Sequence, residues 1–96
     1  AAPVSLSRVP GKGHILAIWN NNPGAGKRNP LTAALSKDEG KTWELFRNVE
    51  EDPDSAWAYP AVTWVGERAL ITYFDYSDRG LNLILKMLPV DWFYGK

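Results

Sequence analysis

Cysteine is absent from this 96-residue chain, and histidine and methionine occur once each. Without cysteine there can be no disulfide staple, cysteine-bearing zinc site or thiol catalysis, and the redox compartment stays open. Net charge is missing as well. Eleven basic and eleven acidic side chains are interspersed and cancel, so no one-signed field marks the chain for nucleic acid or an anionic membrane. No apolar run approaches the roughly 20 residues of a bilayer-spanning helix. The N-terminus lacks the charged-then-apolar layout of a signal peptide, and it lacks an initiator methionine. Ala1-Ala2-Pro3 lead straight into a strand-like segment, which reads as a chain processed or excised from something longer. One small domain with a modest core is expected at this length, not two.

What is present is a succession of short apolar segments punctuated by turn formers. Val4 to Val9 alternates, with Val4, Leu6 and Arg8 on one side and Ser5 and Ser7 on the other, and Pro10-Gly11 ends it. Gly13 to Trp19 is too short for a typical helix and rich in strand formers, so it predicts an inner strand covered on both faces. Residues 20–30 are Asn, Gly and Pro almost throughout, with Lys27 and Arg28 as their charges. A loop of this length in a compact domain is more often functional than idle. Leu31 to Leu35 predicts a third strand, and Thr42 to Asn48 a fourth, its Trp43, Leu45 and Arg47 alternating against Glu44, Phe46 and Asn48. Val49 to Ser55 reads as an acidic, solvated connector. Three further strands are expected over Trp57 to Val65, Ala69 to Tyr76 and Leu81 to Leu88. Gly66-Glu67-Arg68 and Ser77-Asp78-Arg79-Gly80 separate them with hairpin-like lengths. The aromatic tail from Pro89 to Lys96 leaves no room for another strand and turn. The prediction is therefore all-β, four strands in residues 1–49 and three in 56–96.

One stretch between the third and fourth strands is more specific. Ser36-Lys37-Asp38-Glu39-Gly40-Lys41-Thr42-Trp43 has the spacing Ser-x-Asp-x-Gly-x-Thr-Trp. An Asp can accept hydrogen bonds from backbone N–H groups ahead of it and close a turn, and Gly can take the positive φ that completes one. Thr42 and Trp43 suit the strand that follows. A calcium loop would need oxygen ligands at alternate positions. Lys37, Glu39 and Lys41 do not supply them, so no metal site is expected here.

The octapeptide resembles the Asp-box, or BNR repeat, of sialidase-type β-propellers. The resemblance extends over nearly the whole chain. Leu16 to Asn21 and Arg28 to Leu35 look like the penultimate blade of a sialidase-family enzyme, and Trp57 to Val62, Ala69 to Asp75 and Leu88 to Phe93 look like its last blade. It implies a six-bladed propeller of four-stranded blades, each ~40 to 50 residues long. Residues 1–49 would be one complete blade, and residues 56–96 a last blade lacking one strand. An edge left open in this way is an aggregation hazard unless covered, so the expected partners are the remaining blades or copies of this chain, three of which would make a ring. A seven-stranded sandwich is the alternative that the strand pattern leaves open.

Sialidase-like enzymes hold a substrate carboxylate with three arginines, use a glutamate-activated tyrosine as nucleophile, and protonate the leaving group with an aspartate. By its place before the Asp-box, Arg28 matches one of those arginines, and a guanidinium can grip a carboxylate with two parallel hydrogen bonds. Tyr59 matches the nucleophile, whose phenol needs a carboxylate to take its proton. Asn21 and Trp57 are the candidate sugar contacts, Trp57 as a stacking platform. Each has a plainer reading: a surface arginine, a packing tyrosine, a core tryptophan. The resemblance implies a carbohydrate ligand, in particular an acidic sugar, no cofactor, and an extracytoplasmic bacterial location. His14, alone at a strand start, reads as a hydrogen-bonded side chain and not as a base.

Overall fold

The computed structural model describes residues 4–22, 28–77 and 80–96. The expectations for residues 1–3, for Lys27 and for the Asp78-Arg79 turn lie outside them. Seven strands form, β1 (Ser5–Arg8), β2 (Ile15–Asn20), β3 (Leu31–Ser36), β4 (Glu44–Glu50), β5 (Ala56–Val65), β6 (Arg68–Ser77) and β7 (Gly80–Pro89), and a single helical turn, α1 (Val90–Phe93), follows. They make two antiparallel sheets, one in the order β1-β2-β3-β4 and one in the order β5-β6-β7. Tight turns explain part of this path. Val65 pairs with Arg68 across Gly66-Glu67, and Gly66 takes φ 59°, the left-handed value that two-residue hairpins want at their first position.

The sheets pack face to face. Leu16 and Ile18 of β2 and Leu31, Ala33 and Leu35 of β3 meet Trp57, Ala69, Ile71 and Tyr73 of the second sheet in one buried cluster, which Val90 and Phe93 of α1 close at one end. In β1 the serines, not the apolar residues, share this inner face, because Ser5 and Ser7 lie opposite Ile18 and Leu16. Val4 and Leu6 point outward and are 54% and 61% exposed.

Three β-bulges interrupt the ladders, one between Leu31 and Thr32 and two more that set where the aromatic side chains point. Ala33 pairs with Arg47 and Leu35 with Glu44, so β4 carries one residue more than β3 there, and Leu45 takes φ 57°. A regular strand would set Trp43 and Phe46 on opposite sides, as the alternation predicts. With the extra residue both line one groove with Val4, Leu6, Ala17 and Trp19, and Phe46 meets Trp19 edge to face at 5.8 Å. The other of these two lies in β5, where Ala58 pairs with Phe74 and Ala61 with Thr72. It switches the parity of the strand, so that odd-numbered Trp57 and even-numbered Val62 and Trp64 all face the core.

Polar ties join the sheets beyond the core. The Tyr73 hydroxyl, fully buried, donates to Glu50 Oε2 at 2.6 Å. Burial and this bond push its phenol well above the ordinary tyrosine value. Lys86 Nζ lies 3.7 Å from the same carboxylate and donates to the Val49 carbonyl. At the opposite end Arg47 stacks on Trp92 and donates to its carbonyl at 2.9 Å, and His14 Nδ1 shares a hydrogen bond of 2.6 Å with the Tyr94 hydroxyl.

The octapeptide forms a self-contained turn between β3 and β4. Ser36 Oγ donates to Asp38 Oδ1 and accepts from the Gly40 N–H, both at 2.8 Å. Asp38 also accepts from the Thr42 N–H at 2.8 Å and from the Thr42 hydroxyl at 2.5 Å. Gly40 sits at φ 88°. Trp43 precedes the strand and does not start it, because β4 begins at Glu44. The Thr42 hydroxyl, then the Thr42 N–H and Ser36, favour the ionised carboxylate and hold Asp38 down to about 2 from an ordinary 3.8. A group whose folded pKa is depressed stabilises the fold above its unfolded pKa and loses that effect as pH falls through the folded one. Asp38→Asn is therefore expected to melt below wild type at neutral pH, and the gap should close between pH 3.8 and 2. A gap that stays constant over that window contradicts the assignment.

Candidate functional site

Antiparallel order places the Asp-box turn and the Arg28 loop at opposite ends of the first sheet. β3 begins near Arg28 and finishes at the Asp-box, and β4 returns. The Asp-box residues Ser36, Asp38, Gly40, Thr42 and Trp43 thus belong to the scaffold, and the chemistry-bearing candidates gather at the other end.

That end is assembled from two sheets. The backbone N–H of Trp57, at the start of β5, donates to the Arg28 carbonyl at 2.8 Å, so the loop before β3 is stitched to the strand entering the second sheet. Two residues on, the chain enters the β5 bulge. Pro60 has no N–H to give to a ladder, which suits a bulge and not a regular strand position. Tyr59 just before it takes φ 56°, an uncommon conformation for a bulky side chain. The bulge turns the Tyr59 ring out of the core, where it is 54% exposed and meets Phe74 edge to face. Arg28 lies over this ring with its guanidinium carbon 5.3 Å from the centroid, within cation–π range. Arg28, Ala56, Tyr59 and Tyr76 line a shallow depression of about 310 Å³.

The expected site residues therefore divide. Arg28 and Tyr59, which come from different sheets, are brought together. Asn21 is exposed beyond the end of β2 and, among the described residues, makes no side-chain hydrogen bond. Trp57 is 4% exposed and part of the core. A stacking platform needs a free ring face, so the platform expectation gives way to packing.

Several residues at this end were not singled out as site residues by the sequence. Asn20 donates to the Trp57 carbonyl at 3.0 Å. Asn29 donates to the Ser55 and Pro53 carbonyls at 2.8 and 3.1 Å and accepts from Asn22. Their signal was the habit of asparagine to bond nearby backbone, which the composition of the loop diluted. Asp75 and Asn20 each keep one buried oxygen without a protein partner. A tyrosine–glutamate pair does exist in Tyr73 and Glu50, but Tyr73 is fully buried and cannot reach a ligand. The Tyr59 hydroxyl, among the described residues, has no carboxylate partner. No three His, Asp or Glu side chains among the described residues gather as metal ligands, and no helix there is long and apolar enough to cross a membrane.

Comparison with protein-family models, with curated proteins and with solved structures found no match.

The conformation of Tyr59 generates a prediction. A bulky residue held in the left-handed region costs on the order of 1–3 kcal/mol, and glycine relieves it. Tyr76 is a suitable control, similarly exposed and paired regularly with Ala56 and Leu81. Tyr59→Gly is expected to lower unfolding free energy by about 1–3 kcal/mol less than Tyr76→Gly, as measured by urea titration. Equal losses, or a larger one at Tyr59, would contradict strain at that position.

Proposed function

We propose that Arg28 and Tyr59 form one wall of an acidic-sugar site in a sialidase-like exo-glycosidase of β-propeller architecture, the two sheets being two of its blades. The observation that supports this reading most is the Arg28–Tyr59 pair itself, with a guanidinium lying 5.3 Å from an exposed ring that a left-handed bulge holds outward. Strained backbone that turns a polar aromatic outward is found where function demands it. Arg28 would grip the sugar carboxylate with parallel hydrogen bonds, and Tyr59 would serve as nucleophile. The described residues put no carboxylate beside its hydroxyl, and in this reading the activating glutamate, the acid/base aspartate and further arginines are supplied by other blades of the propeller. The chain alone would then bind and not hydrolyse.

A second reading is favoured by a different observation. Both outer faces are apolar. The first sheet exposes Val4, Leu6 and Phe46 beside Trp19 and Trp43, and the second exposes Leu81, Leu83, Leu85 and Met87, each 45% to 62% exposed. Contiguous apolar faces of this kind mark surfaces that something covers. In this reading, copies of the chain cover one another, three closing a ring that binds glycans without hydrolysing them.

The test is a titration of the isolated chain with N-acetylneuraminate, followed by NMR. Shifts are expected at the Arg28 and Tyr59 side chains, with affinity lowered about tenfold or more in Arg28→Ala, as fits loss of a charge-assisted contact. A fluorogenic sialoside should stay uncleaved. Binding indifferent to Arg28→Ala would overturn the site. Cleavage by the chain alone that Tyr59→Phe removes would overturn its incompleteness.

A further inference from the structure

The two members of the candidate site sit on segments that the chain joins only by a long route. From Arg28 the backbone runs down β3, through the Asp-box turn at the far end, and back along β4 before it reaches β5. Along that route Glu50 and Val49 tie the end of β4 to Tyr73 and Lys86 of the second sheet, but these bonds involve neither Arg28 nor Tyr59. Ties at the mouth itself join the two segments that carry the pair.

We infer that Asn29 is a positioning residue for the Arg28–Tyr59 pair. Its side-chain amide has both donors and its acceptor engaged. Nδ2 donates to the Ser55 carbonyl at 2.8 Å and to the Pro53 carbonyl at 3.1 Å, in the chain just before β5. Oδ1 accepts from Asn22 Nδ2 at 3.2 Å, beyond the end of β2. One planar group thereby spans the exit of the first sheet and the entry to the second. Asn29 follows Arg28 directly, so holding its side chain against Pro53 and Ser55 fixes the Arg28 peptide. The Arg28 carbonyl then lies where the Trp57 N–H reaches it at 2.8 Å, two residues before Tyr59. Asn20, which donates to the Trp57 carbonyl at 3.0 Å, holds the other side of the same residue. Side-chain and main-chain bonds together clamp the start of β5, and the guanidinium rests on the Tyr59 ring as the outcome.

An asparagine that only satisfied two loop carbonyls would matter for stability alone. A positioning role makes a different demand. When the amide donors are removed in a protein that still folds, the Arg28 guanidinium must leave the Tyr59 ring. For its functional sense the inference rests on the acidic-sugar reading, but its geometry does not.

The experiment uses Asn29→Asp, an isosteric change that sets acceptors against the two carbonyls, and reads NMR spectra of the full chain. In wild type the Arg28 side-chain protons are expected upfield, shifted by the ring current of Tyr59, and Tyr59→Leu identifies that shift by removing it. Asn29→Asp should move them to the Tyr59→Leu values while the dispersed strand resonances persist, and N-acetylneuraminate affinity should fall to that of Arg28→Ala. Asn29→Ala, which adds no charge, carries the same test where Asn29→Asp does not fold. Retention of the upfield shift in either folded variant overturns the inference, whatever happens to sugar binding. Loss of the shift with sugar affinity unchanged upholds Asn29 as the positioning residue and overturns the acidic-sugar reading instead.

Discussion

Burial of two inner faces against each other is the constraint on which the molecule depends. Each of the apolar side chains Leu16, Ile18, Leu31, Leu35 and Ile71 is completely enclosed, and full burial of such a side chain is worth about 1.5–3 kcal/mol. Because strand side chains alternate, this burial also dictates what lies outside. Leu6, Ala17 and Trp19 must face away from Leu16 and Ile18, and Leu83, Leu85 and Met87 away from Ile84. Most two-sheet proteins put polar residues there. This chain puts apolar ones, so the constraint that forms the core also leaves two outer faces that expose apolar side chains to solvent.

Against that background the bulges are the devices that give the molecule an addressable end. One extra residue in β5 changes the strand's parity, lets Trp57, Val62 and Trp64 share the core, and leaves Tyr59 stranded outside it in a conformation that bulky residues seldom adopt. The cost is borne because the segment is over-determined by the regular ladder from Ala61 to Val65 on one side and, on the other, by the bonds from Arg28, Asn20 and Asn29. The extra residue in β4 works in the same way at the other end, gathering Trp43 and Phe46 onto the outer face. Neither the Asp-box nor the Tyr73–Glu50 tie touches the candidate site. They hold the frame in which Arg28 and Tyr59 meet.

Much of the frame was legible in the sequence, for physical reasons that differ from element to element. Strands such as β3 and β6 were readable because apolar runs stop at glycine, proline and asparagine, and the turn at Gly66-Glu67 announced itself by length and composition. The bulges were not readable from alternation, which assumes one residue per step on both strands. Phe46 was therefore set on the wrong side of β4, although Pro60 marked the irregularity in β5 by its missing donor. The short helix α1 was hidden in a tail known only as aromatic and too short for a strand. At the site, Arg28 and Tyr59 were reached through resemblance to a family, whereas Trp57 carried both a platform and a core reading because an aromatic at a strand start fits an exposed face and a core equally well, and its burial decides for the core. Asn20 and Asn29 went unnoticed as ties because a loop full of asparagines gives no hint of which of them has carbonyls within reach.

The most direct measurement is a crystal structure of the chain with N-acetylneuraminate bound. The sugar carboxylate should lie within hydrogen-bonding distance, about 3 Å, of the Arg28 guanidinium, with the sugar ring against Tyr59 at the mouth between the sheets. A sugar seated in the outer groove of Trp19, Trp43 and Phe46, with Arg28 still resting untouched on Tyr59, would contradict the assignment of that mouth as the binding site.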